Sequence, residues 1–228
     1  MASGPGRHRQ KGQELIEFAL ITSMFSVLFL GSFVTGMSLI RSIQVQQTCR
    51  DLTAMYIHGA DYSTYSMQVV AQRLARGLNM EIGTSFTGSR AQNTSNPGNI
   101  LVNVNTLMYV GTTSQPNCQS VGAANCINHD SFVFIQRIRF GNGTLAAQKP
   151  SSFGDPATTA ISASGILQNP VTDAGAKLAG SAQTATQNLW RTQLQDGQMV
   201  YVVELYAQEP DLNFGRFSGG GVYARYFF

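Results

Sequence analysis

Apolar positions fall into two regimes along this chain. From Phe18 to Ile40 (FALITSMFSVLFLGSFVTGMSLI) no residue is charged, and a helix wound from it is apolar on all sides. Beyond it the pattern becomes periodic. Ser42 to Tyr56 (SIQVQQTCRDLTAMY) contains no Pro or Gly and sets Ile43, Val45, Leu52, Met55 and Tyr56 among polar residues, which continues the helix. Gly59 followed by Asp61-Tyr62-Ser63 reads as a stop and a fresh N-cap. Met67, Val70, Leu74 and Leu78 then recur at spacings of three and four, predicting a second helix packed on its own domain by that stripe.

Strand signals follow a Gly/Ser/Thr/Asn loop over Gly83 to Asn99. They cover Ile100–Val110, Phe132–Phe140, Gln198–Ala207 after the Asp196-Gly197 turn, and Val222–Phe228. A helix followed by four strands rich in Val, Ile, Tyr and Phe predicts an α+β fold. In it the long N-terminal helix packs on an antiparallel sheet of about four strands. The connection from Gly141 to Leu194 is poor in apolar residues and long for a compact domain, which makes it functional or mobile. A helix is expected within Ala174–Leu194, with Trp190 as a core anchor beside the sheet.

The length of the first apolar run gives it a compartment. At about 1.5 Å per residue it spans roughly 34 Å, enough for a hydrocarbon core of about 30 Å. Arg7, Arg9 and Lys11 precede it and would hold that end in the cytoplasm, leaving the remainder on the far side. A signal peptide would have a shorter apolar region ending in a small-x-small site, and Ser38 to Ser42 offers none. A buried core helix so apolar around its whole circumference is rare in a domain of this size. The net charge of +3 is mild and forms no basic cluster, so nucleic acid is not an expected partner.

Glu17 lies where the chain enters that apolar run. By itself it reads as a glutamate snorkelling to the headgroups, about 9 Å along the helix from Lys11. Its neighbours give it a context: a basic stretch, Gly12, four residues (Gln13, Glu14, Leu15, Ile16), then Glu17-Phe18 and the apolar run. This arrangement resembles the class III signal of type IV pilins and pseudopilins. Within that superfamily it is most similar to the tight-adherence (Flp/Tad) branch, where Glu-Tyr or Glu-Phe follows the glycine by four residues. The end of the chain, LQDGQMVYVVELYAQEPDLNF and then GGGVYARYFF, resembles TadE-like minor pilins. The likeness covers residues 7–56 and, less specifically, 195–228.

The resemblance implies a pilin-like fold and a structural subunit, a minor component, of a type IV or Tad-type pilus or secretion pseudopilus. A prepilin peptidase would cut between Gly12 and Gln13. Residues 1–12 would be a cytoplasmic leader, 13–56 the transmembrane and assembly helix, and 57–228 an exported globular domain. Glu17 and Phe18 would take part in assembly, the carboxylate pairing with the terminal amine of a neighbouring subunit. Partners would be the peptidase, other pilin subunits as a homo- or hetero-oligomer, and the bacterial inner membrane before assembly. The protein would then reside there, or on the cell surface in a filament. Gln13 at the new terminus departs from the Phe or Met of the type IVa branch. Ser26, Gly31, Ser32, Thr35 and Gly36 would ease close helix packing.

Chemistry elsewhere is sparse. Cys118 and Cys126 lie in a Pro/Asn/Gly-rich loop, and on the exported side their spacing favours a disulfide worth roughly 2–3 kcal/mol in loop entropy. A metal there would need two more ligands, and only His129 is near. Cys49 reads as a small buried residue. His8 belongs to the basic flank, and His58 and His129 have no catalytic partner at a suitable spacing. There is no HExxH, GxSxG, P-loop or GxGxxG. Glu204 and Glu209 read as an outward strand position and a solvated turn. No catalytic residue, cofactor or metal is therefore expected, and the sequons at Asn93 and Asn142 carry little weight. The competing function is a single-pass anchored domain that binds a ligand or receptor and is never processed.

Overall fold

The computed structural model describes residues 7–76, 81–82, 98–157, 161–178, 180–190, 192–208 and 221–228. The start of the leader (1–6), Leu78, loop residues 83–97 with the Asn93 sequon, and Glu209 lie outside the described residues. Helix α1 runs unbroken from Arg7 to Ile57. The chain divides into two compact units, Met1–Arg41 and Ser42–Phe228.

In the second unit, α1 is followed by α2 (Tyr65–Ala75), β1 (Ile100–Val110), α3 (Pro116–Val121), β2 (Ser131–Gly141), α4 (Leu145–Gln148), α5 (Gly180–Trp190), β3 (Met199–Ala207) and β4 (Val222–Phe227). The four strands form one antiparallel sheet in the order β2-β1-β3-β4. This is the predicted α+β architecture, and each predicted strand is present to within a residue or so at its ends.

One face of the sheet is closed by α1. Val45, Cys49, Leu52 and Tyr56 recur every three or four residues, form one stripe, and are all buried with Val102, Val104, Ile138, Phe140, Val203 and Leu205. Tyr56 Oη bridges to Thr106 Oγ1 and Gln136 Oε1, both at 2.6 Å, so its polar end is satisfied where the ring is buried. Tyr62 stacks on Phe140 and donates to the Leu52 carbonyl at 3.0 Å, fixing the turn into α2.

The stripe predicted for α2 is not its packed face. Val70 and Leu74 are exposed and Met67 is half-buried, while Gln68, Ala71 and Ala75 are buried. The two alanines permit close approach of the helix. Gln68 Nε2 donates to the Tyr62 carbonyl at 2.6 Å, a tie that apolar periodicity cannot register.

The opposite face is covered by the long connection between β2 and β3. Phe153, Leu167, Ala176 and Leu178 pack over Leu107, Phe132, Phe134, Val200 and Val202. Trp190, half-buried, sets its ring edgewise against Phe227 and Phe132, as a core anchor should. A bulge supplies the parity this cover needs. Thr106 pairs with Gln136 but Leu107 with Phe134, so Ile135 is the extra residue. Phe132 and Phe134 therefore share a face with Arg137 and Arg139, although the two pairs differ in sequence parity.

The connection also seals the outer edge of β2. Arg137 N–H donates to the Gly165 carbonyl (2.8 Å), Leu167 N–H to Ile135 (2.9 Å) and Leu178 N–H to Phe132 (3.1 Å). Gly165 has φ +77°, and a Cβ there would lie 2.3 Å from the Arg137 carbonyl oxygen. Only glycine suits that turn.

Candidate functional site

The residues singled out at the N-terminus all lie on α1 in the first unit. Gly12, Gln13, Glu17 and Phe18 are exposed, and the helix passes through the Gly12–Gln13 bond without interruption. Gln13 Nε2 donates to Glu17 Oε1 at 3.1 Å, one turn apart. A Cβ built on Gly12 meets nothing within 4 Å, so packing does not require glycine there.

Within the apolar run, the hydroxyls of Ser23, Ser26, Ser32 and Thr35 bond back to carbonyls of their own helix at 2.8–2.9 Å. Their polar groups are thus satisfied inside the segment, as lipid requires. The helix from Gly12 to Ile57 is long and apolar enough to span a membrane, and none of its most apolar window is buried against the protein. That exposure removes the core-helix reading.

A second assembly of functional groups lies across the covered sheet face. Glu204 on β3 is flanked by its cross-strand partners Asn103 and Arg225, and next to them Asn103 faces Arg139 and Asn105 faces Arg137. Glu204 is 1% exposed and Arg137 4%. Glu204 Oε1 accepts from the Ser152 N–H (2.8 Å) and Tyr223 Oη (2.5 Å), while Ser151 Oγ donates to Oε2. Arg137 Nη1 lies 4.0 Å from Oε2 and donates to Asn105 Oδ1 at 2.5 Å. Asp155 Oδ1 receives Nη2 of both Arg137 (2.6 Å) and Arg139 (2.5 Å). Arg225 lies over the rings of Phe153 and Phe227, and Lys149 over Tyr223.

The electrostatics follow from that geometry. Burial, then the like charge of Arg139, pulls the Arg137 guanidinium below its ordinary value, against the carboxylates of Asp155 and Glu204. It stays charged at neutral pH all the same. Burial alone would raise the Asp155 carboxyl, but the Arg139 hydrogen bond and the two guanidinium charges outweigh it and hold the group below the usual carboxylate range. Burial and the Glu204 charge push the Tyr223 hydroxyl up. Arg137 Nε and Asn105 Nδ2 are buried without an acceptor among the described residues. Ser151, Ser152 and Asp155 all belong to the β2–β3 connection, so the network fastens that segment to the sheet. Glu204 is therefore not the outward position that its sequence context predicts.

The cysteine expectation is met. Cys118, in α3, and Cys126 are bonded, with Cα atoms 5.0 Å apart and both side chains buried. Asp196 ties this end of the molecule to the β3 turn, accepting from Gly111 N (2.7 Å), Asn117 N (2.9 Å) and Asn117 Nδ2 (3.1 Å). Cys49 is buried, its thiol donating to the Val203 carbonyl. Burial, then the Glu204 charge, pushes it up to about 12, so little thiolate exists at neutral pH. His58 and His129 are exposed and widely separated in the chain. Among the described residues no three His, Cys, Asp or Glu side chains converge to hold a metal.

No protein-family profile, curated protein or solved structure matches this chain. The function must therefore be argued from the arrangement itself. Sequence reasoning located the helix residues and the disulfide but missed the Arg137–Glu204 network. Its signal was a charge or amide set among apolar residues in three strands: Asn103 and Asn105 in LVNVNT, Arg137 and Arg139 in FIQRIRF, Glu204 in VVEL.

Proposed function

We propose that this protein is a pilin-like structural subunit of the tight-adherence branch, a TadE-like minor pilin or pseudopilin that assembles through α1. The observation that carries the proposal is the division of labour along one 51-residue helix. Its N-terminal part is apolar, exposed and marked by Glu17, the fifth residue after Gly12. Its C-terminal part carries a buried stripe that anchors an antiparallel sheet. An exposed apolar helix needs a lipid or protein environment, and an intramembrane carboxylate in it is by default functional. In this reading a prepilin peptidase cuts after Gly12 in the bacterial inner membrane. The sheet domain lies on the periplasmic side, and other pilin subunits receive Glu17 and Phe18 as the filament forms at the cell surface. The role is structural, without catalysis or cofactor.

The test is the N-terminal residue and mass of the protein isolated from its native membrane. A chain beginning at Gln13 is expected, with Gly12→Ala blocking the change. Because a Cβ at Gly12 meets nothing, that variant folds normally and reports on recognition by the peptidase alone. Retention of the first 12 residues in cells that contain the peptidase sinks this reading in favour of an anchored binding domain.

A further inference from the structure

The two outer strands of the sheet are treated differently. The outer edge of β2 is capped by Gly165, Leu167 and Leu178. Among the described residues nothing pairs with the outer edge of β4. Phe228 and Tyr201 exchange both backbone hydrogen bonds (2.9 and 3.0 Å), which fixes the alternation of the antiparallel ladder. The backbone groups of Tyr226 and Ala224 therefore point to β3, and those of Phe227, Arg225 and Tyr223 point outward. Proteins usually blunt such an edge with a proline, a lysine or a bulge. Strand β4 has none of the three, its one charge being Arg225, and its register with β3 is continuous.

A groove of about 500 Å³ runs beside this edge. Ile43, Gln46 and Arg50 of α1 form one wall, and Ala224, Arg225 and Tyr226 form the other. Ile43, Gln46, Arg50 and Tyr226 are exposed, and the small Ala224 leaves room between the walls. Arg50 brings a cation to the groove and no carboxylate lines it, while the Arg225 side chain flanks the same edge on the opposite face of the sheet, over Phe153 and Phe227. A second copy of this chain is a poor occupant. Its β2 edge is capped, and the antiparallel β4–β4 register that pairs the most outward groups, Tyr223 opposite Phe227, sets Arg225 of both copies against each other.

We infer that the β4 edge and its groove take up an extended acidic segment of a partner protein, which adds to the sheet as a fifth strand. Main-chain hydrogen bonds to Tyr223, Arg225 and Phe227 supply the affinity, and carboxylates on the α1 side of the added strand, facing Arg50, supply the preference. This site belongs to the sheet unit alone, so the inference stands or falls independently of processing at Gly12.

The test uses the full chain in lipid nanodiscs and three fluorescent nine-residue peptides, read by anisotropy. One peptide alternates Val or Thr with Glu, the second carries Lys in place of Glu, and the third is the acidic peptide N-methylated at alternate residues. The acidic peptide is expected to bind at least about tenfold more tightly than either of the others, a difference worth about 1.4 kcal/mol. Arg50→Glu, at an exposed helix position, should reverse the preference for Glu over Lys while leaving the circular dichroism spectrum unchanged. No saturable binding of the acidic peptide at millimolar concentration overturns the inference. So does equal binding of the N-methylated peptide, or cysteine cross-linking that shows β4 paired with β4 of a second copy.

Discussion

Under α1 the sheet is closed by Val45, Cys49, Leu52 and Tyr56, a helical stripe meeting an apolar sheet face. On the other face, apolar contacts of that kind are joined by a charged network held by Glu204, Arg137, Arg139 and Asp155. The first cover depends on area and is insensitive to detail. The second depends on direction, because each buried charge must meet its partners or cost several kcal/mol. A connection with few large apolar residues needs the second device beside the first to be held in place. That is why some 50 residues of Ala, Ser, Thr and Gly lie folded on the sheet.

The comparison breaks first at Glu204. Glu204→Ala leaves Arg137 with Asp155 as its one carboxylate, and strands Tyr223, Ser151 and the Ser152 amide in a covered site. A loss of about 3–5 kcal/mol is expected. The single tryptophan, Trp190, reports on this face directly, so its emission should shift to the red before the strands melt. Protease cleavage should concentrate near residues 151–155. Replacing both Glu204 and Arg137 by Leu and Met should recover part of the loss. If Glu204→Ala leaves Trp190 emission and protease resistance unchanged, the network is not what fastens the connection.

Leu52→Ala probes the other face. Leu52 is fully buried in the stripe, and its truncation should cost about 3 kcal/mol, in the range for buried leucines. Here urea unfolding followed by Trp190 and by far-ultraviolet circular dichroism should remain a single coincident transition of lower midpoint. Separation of the two signals in this variant, and not in Glu204→Ala, would reverse the roles assigned to the two faces.

That contrast also explains what the sequence could convey. Helix α1, the four strands, the disulfide and the anchoring role of Trp190 were legible because each rests on local periodicity, spacing or residue type. The packed face of α2 was not, since Gln68, Ala71 and Ala75 are buried by close approach and not by hydrophobicity. Glu204 was misread for a related reason. Its neighbours in VVEL describe a strand, but whether its face meets water is decided by Ser151 and Ser152 more than 50 residues away. The β4 edge was equally hidden, because strand order is a property of the whole sheet.

The smallest expected effect sharpens the comparison by pH. Asp155 is held below the usual carboxylate range by the Arg139 and Arg137 guanidinium groups, against the opposing effect of burial. A carboxyl whose folded value is depressed stabilises the protein fully above its unfolded value, about 4. That contribution is lost as pH falls through the lower folded value. Stability should therefore decline on acidification below about pH 4 in the parent protein, and Asp155→Asn should flatten that slope. The side chain is 54% exposed, so solvent screening limits the effect to at most about 1 kcal/mol. Thermal unfolding read by Trp190 between about pH 6 and pH 3 measures it. A slope that Asp155→Asn leaves untouched would assign the acid sensitivity to other carboxylates. Asp155 would then be a solvated partner, and Arg137 and Glu204 would carry the charged half of the cover by themselves.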